Sequence, residues 1–64
     1  MNMATITGDK DFLQKMVAHH KMALSMCHEI YTLTKRQQIK DFAETMYNTQ
    51  KHEIATMEAW IKQL

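Results

Sequence analysis

From Asp9 to Leu64 the chain contains neither glycine nor proline; its one glycine is Gly8 and it has no proline anywhere. Nothing in those residues forces the backbone out of a helix, because glycine and proline are the strongest local breakers. From Phe12 to Leu33 the apolar side chains recur at three- and four-residue intervals, the period of an amphipathic helix. A second such series runs from Ile39 through Phe42, Ala43, Met46, Ile54, Met57, Trp60 and Ile61 to Leu64. No period-two alternation supports a strand.

The series are separated by a polar stretch, Thr34-Lys35-Arg36-Gln37-Gln38. Thr34 and Gln37 have the spacing of a capping box, so a turn is expected over about residues 32–36. Asp9 after the glycine is the expected N-cap, with Asp11 adding negative charge in the first turn. The sequence therefore predicts an N-terminal arm (1–8) and a single helical-hairpin domain (9–64), with helices over about 9–33 and 35–64. Asp11 with Lys15 and Glu58 with Lys62 are spaced as ion pairs on solvent faces.

Sixty-four residues, 45% of them apolar, suffice for a stripe on each helix but not for a core that closes on itself. Two amphipathic helices cover one side of each other only, and outer shoulders bearing Trp60, Tyr47, Phe42 and Leu24 call for another layer. The expected fold is all-α: an antiparallel hairpin that pairs with a second copy into a four-helix bundle, a homodimer or higher assembly.

Composition narrows function. One cysteine, Cys27, excludes an internal disulfide framework. Eight basic and seven acidic residues give a net charge of +1, which offers no electrostatic basis for binding nucleic acid or an anionic membrane. No apolar run exceeds four residues, so no membrane span is expected, and the N-terminus as written lacks the basic-then-apolar pattern of a signal peptide. No nucleophile–base pair or phosphate loop is evident, so an enzyme is not expected.

Seven methionines and four histidines remain to be explained. Steps of about 100° per residue put Met16, Ala23 and Cys27 on the centre line of the first stripe, with His19 and His20 on opposite shoulders. The second centre line carries Gln50, Met57, Ala43, Ile39 and Ile61, with Glu53 beside it. Folding about Thr34 and Lys35 brings His19 level with Gln50 and Met16 level with Glu53. Polar groups that interrupt both stripes thus meet at one depth, bordered by Met16 and Met57. An amide at such a place costs about 1–3 kcal/mol unless it finds a partner.

Two explanations fit such a layer. Thioether and imidazole donors favour monovalent copper, with Met16, His19, His20, Gln50, Glu53 and Met57 as direct or supporting ligands; zinc or another transition metal could be held through His19, His20 and Glu53. Alternatively the layer binds no metal and fixes pairing, making the chain a structural or interaction module. The Glu-x-x-His repeats of di-iron bundles are absent, since Thr32, Tyr47, Thr56 and Ile61 stand three residues after Glu29, Glu44, Glu53 and Glu58.

The ordered set Asp9, Phe12, Met16, His19-His20, Ala23, Met26, then Gln50, Glu53-Ile54, Met57 and Trp60 resembles the bacterial family called domain of unknown function 305. The resemblance spans residues 9–64. It implies a ferritin-like helical arrangement, often in exported or periplasmic bacterial proteins, with copper handling proposed for some members. Longer members carry two copies of the helical unit, so a single copy would find its second half in another subunit. Ala18 stands where the family often has proline, and the first helix is therefore expected to be straighter.

Overall fold

The computed structural model describes residues 5–64, and the first half of the expected arm lies outside them. Two antiparallel helices make up the fold: α1, Asp9–Leu33, and α2, Gln37–Gln63. There is no strand among the described residues. Neither helix is long and apolar enough to cross a membrane.

The helix ends differ from the expected caps. Gly8, not Asp9, occupies the N-cap of α1, and no side chain caps that end. Asp11 secures it from within the first turn: its Oδ2 accepts the Thr7 backbone N–H at 3.0 Å and the Lys15 ammonium at 2.8 Å. At the turn, Thr34 adopts an extended backbone and its N–H closes α1 on the Ile30 carbonyl at 2.8 Å. The Thr34 hydroxyl accepts the Arg36 N–H at 3.1 Å rather than that of Gln37, and Arg36, not Thr34, is the N-cap of α2. The Gln37 amide instead donates to Asp41 at 2.9 Å. Lys40 ties the turn together, donating to the Tyr31 carbonyl at 3.0 Å with its ammonium 4.7 Å from the centre of the Tyr31 ring.

Leu13 and Val17 of α1 pack on Ile54 and Met57 of α2, flanked by Met16, Leu24 and Ile61. Each such side chain contributes about 1.5–3 kcal/mol on full burial. Ala43 is buried nearer the turn, where a small side chain lets the helices approach closely.

The most buried apolar residues of α1 are therefore Leu13 and Val17, which lie to one side of the expected centre line, while Met16, Ala23 and Cys27 on that line are half-buried, as is Leu24. The physical reason lies in the width of the apolar arc. The arc is broad enough to serve two surfaces, and its centre falls between them; α2 occupies one, leaving Phe12, Met26 and Ile30 exposed on the other. Lys15 departs from expectation too. It is only 8% exposed, because its ammonium is held by Asp11 and by the Thr5 carbonyl while its stem lies under the arm. Glu58 and Lys62, by contrast, form no ion pair among the described residues.

Candidate functional site: a buried polar bridge beside an open apolar face

His20 points into the seam between the helices. Its Nδ1 donates to the Met16 carbonyl at 2.9 Å, since a carbonyl can only accept. Its Nε2 lies 2.6 Å from Glu53 Oε2. Both ring nitrogens are therefore engaged, one by the backbone of its own helix and the other by a side chain of α2. The His20 side chain is 11% exposed and that of Glu53 48% exposed, so the bridge is buried on one side and reaches the surface on the other.

Helix geometry explains why residue 20 meets residue 53. Side chains on a helix lean toward its N-terminus. In an antiparallel pair the two leanings are opposite in space, so His20 tilts away from the turn and Glu53 tilts toward it, and their tips meet. This offset moves the contact from the expected pairs, His19 with Gln50 and Met16 with Glu53.

The six residues read from the sequence as a layer divide into two groups. Met16, His20, Glu53 and Met57 line one groove, together with Phe12 and Trp60. His19 is exposed and makes no hydrogen bond among the described residues, although its ring lies edge-on to His20 with centroids 6.3 Å apart. Gln50 sits one turn nearer the loop, with its Oε1 buried and without a partner. Among the described residues, no three His, Cys, Asp or Glu side chains are grouped to hold a metal ion.

A second groove toward the turn is lined by Met26, Ile30, Ile39, Phe42 and Met46. Successive 100° steps place it on the same broad side of the hairpin as the Phe12–Trp60 groove. The opposite side carries Lys21, Ser25 and His28 from α1 and Glu44, Asn48 and Lys51 from α2, all exposed. The Phe12–Trp60 side is thus the more apolar of the two broad faces, while the other combines these charged and polar groups with a groove lined by Cys27, His28, Tyr31, Ala43, Glu44 and Tyr47. Sequence periodicity identified the individual apolar residues but missed Val17 as core and Lys15 as buried; the wide arc of α1 hides the first, and the arm that covers the second is not periodic.

An antiparallel pair of helices bridged by an imidazole–carboxylate contact defines a small helical-hairpin domain. The chain belongs to the family described as Domain of unknown function (DUF305), whose model matches residues 2–61. Neither the comparison with curated proteins nor that with solved structures finds a match.

Proposed function

We propose that this chain is a helical pairing module: it associates with a second copy through its apolar face to form a four-helix bundle, and the His20–Glu53 bridge sets the register of that pairing. The observation that carries this reading is the position of the bridge at the rim of an uncovered apolar face. Phe12, Met26, Phe42 and Trp60 all expose more than two-fifths of their surface there, from 43% for Phe12 to 66% for Phe42. Exposed apolar area of this extent marks interaction surfaces. A buried polar contact costs stability compared with well-packed apolar side chains, and its best-attested use is to specify register and partner geometry.

Sedimentation equilibrium of the whole chain tests the reading. A dimer is expected at micromolar concentration, dissociating when Phe42 and Trp60 are both replaced by serine. A wild-type monomer at several hundred micromolar would refute it.

One observation favours a second reading, a soft-metal site. The thioethers of Met16 and Met57 line the same groove as His20, whose Nδ1–H is already oriented by a backbone carbonyl, leaving Nε2 as the nitrogen that could face a ligand. The donor set fits monovalent copper better than zinc. Loading would require Glu53 to release Nε2, while His19 and Gln50 would take no direct part. Anaerobic titration with copper(I) decides it: affinity should fall at least tenfold in His20→Ala and be unchanged in His19→Ala. Equal binding by both variants would exclude His20 as a ligand.

A further inference from the structure

Resting on the pairing reading, we infer that the second copy packs with its turn at the same end, so that His19 of each copy meets the carboxylate of Glu53 of the other. Three observations lead there. First, the Cα trace measures 42 × 24 × 12 Å, a slab one helix thick, so no element of the described chain covers the apolar face. Second, the accessible surface is 5122 Å². A globular monomer of 7.6 kDa would show about 4,300 Å². The chain thus exposes more surface than a compact monomer of its mass, as a single layer of two helices must.

Third, the polar groups on this face are complementary. His19 lies at the angular position of Phe12, Met26 and Ile30 and is exposed. Glu53 uses Oε2 for His20, while its Oε1 takes no hydrogen bond among the described residues. With both turns at one end, a twofold axis parallel to the helices lays α1 on α2 of the second copy. Those helices run antiparallel in the register already seen within the hairpin, where residue 20 reaches residue 53. His19, one step round the same helix, then meets the outward oxygen of Glu53 across the interface. The opposed arrangement, turns at opposite ends, lays α1 on α1 and α2 on α2. Carboxylate then faces the carboxylate-bearing helix, and imidazole the imidazole-bearing one. Only the first arrangement pairs each imidazole with an acid, giving a central layer of two His19, two His20 and two Glu53.

Charge-swap complementation tests this. His19→Glu would set acid against acid and should weaken self-association at least tenfold. Glu53→Lys should likewise weaken it. An equimolar mixture of the two variants should recover dimers, since the introduced carboxylate then faces the introduced ammonium and the other contact is native. Circular dichroism establishes that each variant is helical. Should Glu53→Lys not fold, spin labels at Lys35→Cys in a Cys27→Ser background decide the matter. Turns at one end place them within about 30 Å, whereas opposed turns separate them by about 40 Å or more. Full dimerisation of His19→Glu, or the long spin-label distance, would overturn the inference while leaving the pairing module standing. A monomeric wild type would remove both.

Discussion

His20 Nε2 and Glu53 Oε2, 33 residues apart in sequence and 2.6 Å apart in space, form the side chain–side chain hydrogen bond that joins the two helices among the described residues. Its partners differ in exposure, and this sets its worth. A charge-assisted bond of this type contributes about 1.5–3 kcal/mol when buried, and solvent at the half-exposed carboxylate reduces that. Glu53→Ala should therefore destabilise the chain by about 1–2 kcal/mol, read as a loss of roughly 4–15 °C in the thermal midpoint. Replacing both residues by leucine should bring the dissociated chain within about 1 kcal/mol of the wild type, because neither partner of the bridge is then left unpaired. A double-leucine variant less stable than Glu53→Ala would contradict this account.

Gln50 offers the converse experiment. Its Oε1 is buried without a partner, a cost of about 1–3 kcal/mol. Gln50→Leu should raise the midpoint of chemical unfolding with no change in its steepness. A lower midpoint would mean that the amide is satisfied in solution.

Core and open face should respond differently to truncation. Ile54 packs between the helices of one chain, and Ile54→Ala should cost about 2–5 kcal/mol at every protein concentration. Trp60 lies on the open face. Trp60→Ala should instead abolish the concentration dependence of the thermal midpoint that self-association confers, with little effect in dilute solution. Equal losses at all concentrations would argue against that face as an interface.

The Lys15 ammonium and the Thr7 N–H beside Asp11 hold its carboxyl below the ordinary value of 3.8. A carboxylate with a depressed native pKa stabilises the fold above its unfolded pKa and ceases to do so as pH falls through the native one. Amide exchange at Thr7 and Phe12 should thus accelerate as pH falls below about 4, after correction for intrinsic rates. Asp11→Asn should show the faster exchange already at neutral pH and lose the acid transition.

Much of the hairpin was legible because it depends on local chemistry. The absence of breakers after Gly8 and the three-and-four spacing on either side of the Thr34–Gln38 stretch demand two helices joined by a short turn. The caps were less legible: Asp9 and Asp11 can both serve a helix start, and the choice depended on where the Lys15 ammonium came to rest. Within the candidate site, Met16, His20, Glu53 and Met57 do share a groove, as their stripe positions suggested, whereas His19 and Gln50 do not join them.

Sequence alone determined the two helices and the apolar stripe along each, since both follow from periodicity along the backbone. Tertiary structure decided which of two adjacent histidines faces the neighbouring helix. His19 and His20 lie about 100° apart on an arc wide enough for both. The selection came from the close packing of Leu13 and Val17 on Ile54 and Met57, which turned α1 until His20 met Glu53 and left His19 on the uncovered side.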